Sequence, residues 1–100
     1  MSEYHILIQL PELCAELDLP REACLELVEH GVIQPQGRQP DEWAFDVTMV
    51  SVVRRAVRLQ RDLDLDWSTV ALVVNLLEER DQLRSELEAL EQRLSRFMQD

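Results

Sequence analysis

One hundred residues carrying 20 acidic against 10 basic side chains have a net charge of −10. That length fits a single domain with at most an appended helix, and that charge argues against long-range attraction to DNA or to an anionic membrane. No segment reaches the ~20 apolar residues of a membrane span, and the start MSEYHILIQL has neither the basic region nor the apolar length of a secretory signal, so a cytoplasmic protein is expected. All ten basic residues are arginine. The acidic excess favours a basic protein partner or serves solubility. Cys14 and Cys24 are separated by nine residues, far from zinc-finger or CxxC spacing, and are expected to pack as small apolar groups on neighbouring helices.

Tyr4 to Leu10 is apolar and partly β-branched, which predicts a short edge strand. Pro11 suits the first turn of a helix over Glu12 to Asp18. Pro20 opens a second helix, Arg21 to His30, with Glu22 near its positive end and Gly31 as the glycine that closes it. Two helices this short, joined by Asp18-Leu19-Pro20, read as a helix-turn-helix. On the second helix, Cys24, Leu27, Val28 and Gly31 share the spacing of a core face. Glu22, Leu25, Glu26 and Glu29 share the same spacing on the other side. That places one exposed leucine among three carboxylates, either a solvated face or a docking spot with Leu25 as its anchor.

Val32 to Pro35 and Glu42 to Phe45, with Gly37 and two prolines between them, predict a β-hairpin or wing. Trp43 and Phe45 alternate with Glu42 and Ala44, so both rings fall on one side. Asp46 is a good N-cap for a third helix, Val47 to Asp62. Met49, Val50, Val53, Val57 and Ala56 form its core stripe. Arg54, Arg58 and Arg61 lie on an outer face with Arg55 beside them. Asp62, Asp64 and Asp66 are near enough in sequence to neutralise much of that patch.

The turn Asp64-Leu65-Asp66-Trp67-Ser68 offers Asp66 or Ser68 as the cap of a fourth helix, which runs to about Met98 without Pro or Gly. Val70 to Leu77 is apolar nearly all round and is expected inside the globular part. From Val73 the apolar residues repeat every seven, and Leu76, Leu83, Leu90 and Phe97 form one row of a heptad seam. Val73, Leu87 and Leu94 form the other, interrupted by Arg80. Pairing parallel would set Glu86 against Glu91, whereas an antiparallel pair brings Glu79 near Arg93 and Arg84 near Glu91. An antiparallel homodimer is therefore expected, although each exposed pair contributes only ~0.2–1 kcal/mol. The chain divides into a domain over residues 1–77 and a dimerisation arm over 78–100, continuous with it.

Two glycines leave no room for a glycine-rich phosphate loop, His5 and His30 stand alone, and no Ser or Cys has a base with an orienting partner. No HExxH or close Cys/His cluster is present. Neither an enzyme nor a bound metal or cofactor is expected.

Strand, helix-turn-helix, wing and long terminal helix, with Gly31-Val32-Ile33-Gln34-Pro35 leading into the wing, resemble the DNA-binding half of a MerR-type regulator. The resemblance implies a mainly α fold, a MerR-like winged helix-turn-helix with a long C-terminal coiled-coil helix, and dimerisation through antiparallel last helices. The departures matter. Leu25-Glu26-Leu27 stands where that family commonly carries Arg-Tyr-Tyr, and only Arg38 remains as a wing cation. Carboxylates facing phosphates repel, at a cost of several kcal/mol, so direct DNA binding is not expected.

Trp43-x-Phe45-Asp46, Arg55-Ala56-Val57-Arg58-Leu59, Leu65-Asp66-Trp67 and Gln92-Arg93-Leu94-Ser95-Arg96-Phe97 resemble a narrower family, the chaperone modulators CbpM. That resemblance implies binding to the J-domain of CbpA, a DnaJ-like co-chaperone, which blocks its work with DnaK and its association with DNA. It supplies no residue-level site. From charge and helical spacing, the contacts are expected from Glu22, Leu25, Glu26 and Glu29, with Asp64 and Asp66 as a second patch. The alternative is a MerR-like transcriptional regulator using Arg38, Arg54, Arg55, Arg58 and Arg61 on DNA. A coiled-coil scaffold without a client is a third reading.

Overall fold

A computed structural model describes residues 6–99. In chain order they form strand β1 (Ile8–Gln9), helices α1 (Leu10–Leu17) and α2 (Arg21–Glu29), a 3-10 turn at Pro40–Glu42, strand β2 (Ala44–Phe45), and helices α3 (Val47–Leu63) and α4 (Trp67–Met98). The mainly α, winged helix-turn-helix architecture is as expected. No helix among the described residues is long and apolar enough to cross a membrane.

The local signals act where the sequence places them. Asp46 accepts the Met49 N–H at 2.9 Å and starts α3, and Asp66, rather than Ser68, accepts the Thr69 N–H at 2.8 Å and starts α4. Gly31, at φ +75°, ends α2. Its N–H donates to Val28 O at 3.0 Å and the Val32 N–H donates to Leu27 O at 2.9 Å, the paired bonds of a left-handed helix stop. Gly31 itself is exposed instead of joining the core face, because the residue that reverses a helix end lies outside the last turn. Asp18 and Asp64 close α1 and α3 in the same left-handed region, at φ 53° and 54°, which aspartate tolerates better than most side chains.

Three expectations are corrected. The edge strand is shorter than Tyr4 to Leu10: Leu10 already belongs to α1, and Tyr4 lies outside the described residues. The wing is not a hairpin of two paired strands. Ile8 pairs with Phe45 and Gln9 with Ala44, antiparallel, while the near side of the wing contributes only a bridge from Gln36 to Ala44. Pro35 has no N–H to give a ladder, and the Pro40 turn folds the tip back against the Gly37 corner. There a Cβ on Gly37 would stand 2.6 Å from Glu42 O, so the loop closes only over a glycine. Finally, Val70 to Leu77 is not buried all round. Val70, Ala71 and Val74 are, whereas Leu72 and Leu76 face outward, because α4 packs on α2 and α3 along one side only.

One core joins the helices and β2: Leu10 and Leu13 of α1, Leu19 of the turn, Ala23, Cys24 and Leu27 of α2, Ile33 of the following loop, Phe45 of β2, Val53 and Ala56 of α3, and Val70, Ala71 and Val74 of α4. Met49, Val50 and Val57 of the predicted α3 stripe pack against it half-buried. Each fully buried large side chain contributes about 1.5–3 kcal/mol. Phe45 is the largest of them, with the Trp43 ring edge-on at 6.2 Å, so the two rings do share a side. The cysteines pack as expected. Cys24 is buried and Cys14 half-buried, both as free thiols. Burial pushes the Cys24 thiol up to about 12 and raises Cys14 as well.

Beyond Leu77 the last helix leaves the core and every residue from Glu78 to Gln99 is exposed. The radius of gyration is 17.0 Å, against about 13 Å for a compact chain of this length. The excess is the projecting arm.

Candidate functional site

Helix α2 separates its two faces as its spacing demands. Ala23, Cys24 and Leu27 are fully buried, Val28 partly so, and Glu22, Leu25, Glu26 and Glu29 occupy the other side. Glu22 and Glu29 are exposed. Leu25 is half-buried rather than freely exposed, yet it is not among the hydrophobic side chains packed on the core. The stems of glutamates three and four residues away lie beside it on the helix surface. Glu26 is half-buried too, with its Oε1 3.2 Å from His30 Nε2. Asn75 of α4 donates to His30 O at 3.0 Å, which satisfies a helix-end carbonyl and pins α4 to the end of α2. In the sequence this residue is marked only as a lone amide in the apolar run Val70 to Leu77.

The second acidic pair lies elsewhere. Asp64 and Asp66 flank Leu65 in the turn between α3 and α4, and both serve helix ends. Asp64 closes α3 with its N–H on Gln60 O at 2.7 Å, and Gln60 Nε2 donates to Leu65 O at 3.2 Å. Asp66 is held below the ordinary carboxylate range by the Thr69 hydroxyl and N–H, with Ser68 assisting. No hydrogen bond or ion pair among the described residues links this turn to the carboxylates of α2.

The arginine face is partly neutralised, but by different partners from those expected. Arg55 Nη1 bonds Glu78 Oε2 at 2.9 Å and Asp81 Oδ2 at 3.3 Å, both on α4. Asp81 is held low by this contact first and by Arg80 second. Asp62, Asp64 and Asp66 make no ion pair among the described residues, whereas α4 brings Glu78 and Asp81 to Arg55. Arg54, Arg58 and Arg61 are exposed and likewise make none there. In the wing, Arg38 is exposed, and its N–H rather than its guanidinium meets Glu42 Oε1 at 3.2 Å.

The seam residues line one side of the arm. Leu76, Leu83, Leu87, Leu90 and Leu94 are 51–58% exposed and Phe97 78%. Among the described residues no group of three or more His, Cys, Asp or Glu is placed to hold a metal ion. The chemistry available is that of surfaces: an acidic α2 face, an acidic turn, a short basic stripe and a charged arm carrying one apolar row.

Residues 8–92 match the family model described as MerR HTH family regulatory protein. The chain is 47% identical to a chaperone modulatory protein CbpM of Pseudomonas putida over 92 residues, 92% of this chain and 91% of the relative. It is 47% identical, with the same coverage, to the protein of that name from Pseudomonas entomophila. To the Salmonella paratyphi A protein of the same name it is 40% identical over 98 residues, 98% of this chain and 97% of the relative.

Proposed function

We propose that this chain, which belongs to the chaperone modulatory protein CbpM family within the MerR HTH family, is a non-enzymatic inhibitor of a DnaJ-like co-chaperone. It binds the J-domain of CbpA, blocks the co-chaperone's work with DnaK and lowers its association with DNA. The observation that carries this reading is the outward face of α2. In a helix-turn-helix the second helix is the one that enters the major groove. Here that helix presents Glu22, Glu26 and Glu29 around Leu25. A phosphate backbone would be repelled there, whereas a basic protein helix would be drawn in, its encounter accelerated by charge complementarity. Asp64 and Asp66, already committed to helix ends, form a secondary contact. The active species is a homodimer joined through the arm seam, Leu76, Leu83, Leu87, Leu90, Leu94 and Phe97, with the two arms antiparallel.

Titration calorimetry against the isolated J-domain, at low and moderate salt, tests the reading. Saturable binding that weakens with salt is expected, and reversing charge with Glu26→Arg plus Glu29→Arg should weaken it at least tenfold. Unchanged affinity in that variant would remove α2 from the interface. Absence of binding by the native chain, together with steeply salt-dependent binding to duplex DNA, would hand the function to the exposed Arg54, Arg58 and Arg61.

A further inference from the structure

We infer that the open groove between β1, α1 and α3 is a second docking site on the same partner, for an amphipathic helix with an aliphatic stripe between a basic and an acidic flank. The groove spans about 830 Å³ beside Phe45 and is lined by no residue of α2, so it is distinct from the acidic face. The inference rests on the co-chaperone reading only for the identity of the protein that brings this helix.

The walls follow helical spacing. Glu12, Ala15 and Glu16 lie on α1, and Val47, Val50, Ser51 and Arg54 on α3. A trough bounded by two helix faces is the seat that a third helix fills with residues at i, i+3, i+4 and i+7. Its rim is apolar where a free surface need not be: Ile6 is 62% exposed and Val47 63%. Single exposed aliphatics are ordinary, but these two border one groove with Ile8 and Val50.

The charges specify the occupant. Glu12 is partly committed, accepting the Gln9 N–H at 3.2 Å. Glu16 on one wall and Arg54 on the other make no ion pair among the described residues, although both line the groove. An occupant therefore gains by presenting a cation to α1 and a carboxylate to α3. A nucleic acid would set phosphates against Glu12 and Glu16, and an anionic membrane would meet the same repulsion. A small apolar molecule would remain largely wetted in so open a trough. The groove also supplies what α2 lacks. Binding energy concentrates in apolar anchors shielded from water, and the α2 face offers only the half-buried Leu25.

The test is calorimetric titration of the full-length J-domain co-chaperone into the full chain and two variants. Ala15→Trp fills the trough without altering charge. Val47→Asp places a carboxylate in the first turn of α3, where the helix dipole accommodates it. Loss of at least tenfold in affinity in either variant, with an unchanged melting temperature, supports the groove. Native affinity in the folded variants, while Glu26→Arg plus Glu29→Arg still weakens binding, overturns the groove and leaves the co-chaperone reading standing. No binding by the native chain overturns both.

Discussion

Helix α4 is one uninterrupted helix living in two environments. Its first three turns bury Val70, Ala71 and Val74 completely against α2 and α3, while nothing from Glu78 onward is buried. The first part is held by tertiary packing. The second is held by continuity with it, by the Arg55 contacts to Glu78 and Asp81, and by short-range pairs such as Gln82 Nε2 to Glu86 Oε2 at 3.0 Å. Most of a helix's stability comes from packing its amphipathic face rather than from propensity. The same polypeptide segment is therefore buried at one end and exposed all round at the other. In the proposed homodimer, the exposed leucine row is the side on which the second arm lies.

The sharpest way to break this comparison is in the core. Phe45→Ala should cost about 3–5 kcal/mol, a large share of the ~5–15 kcal/mol that holds a typical domain, and urea unfolding will read it. A loss below ~1 kcal/mol would mean the β2 corner collapses around the gap. Next comes the arm. Leu83→Asp with Leu90→Asp should leave urea unfolding of the monomer nearly unchanged yet weaken self-association at least tenfold in sedimentation equilibrium. An unchanged dimer would place the interface elsewhere. The smallest effect belongs to the cap that starts α4. The folded state holds Asp66 below its ordinary 3.8, so its capping contribution is complete above that value and fades as pH falls through the depressed one. Asp66→Asn retains a capping oxygen that does not titrate. Its stability should therefore decline less steeply in that acid range, as followed by thermal melts across acidic pH. Parallel pH profiles would show that Asp66 is not the group responsible.

Much of the fold is legible because it is local. Asp46, Gly31 and Asp66 act within three or four residues of themselves, and the long apolar repeat carried α4 to Met98. What escaped was decided by how helices cross. Arg55 finds Glu78 and Asp81, 23 and 26 residues away, where sequence proximity pointed to Asp62, Asp64 and Asp66. Leu72 and Leu76 look like core residues until α4 is seen to touch its neighbours on one side only. The wing carried ordinary hairpin signals, but its partner strand lay at the N-terminal end of the chain, a pairing no local pattern encodes. At the candidate site the alternation of acidic and apolar faces on α2 was readable. The tie from Asn75 to His30 and the groove beside α1 were not, since each depends on side chains brought together from different elements.

The contrast between the two thiols has a practical consequence. Cys24 sits at 0% exposure between α1 and α2, protonated throughout the physiological range, while Cys14 on the neighbouring helix is partly open. A thiol-reactive dye at neutral pH will tag Cys14 first and reach Cys24 only when the helix pair parts. The second labelling step is thus a clock for spontaneous opening of the helix-turn-helix, already wired into the native chain, and any ligand that clamps these helices together will slow it.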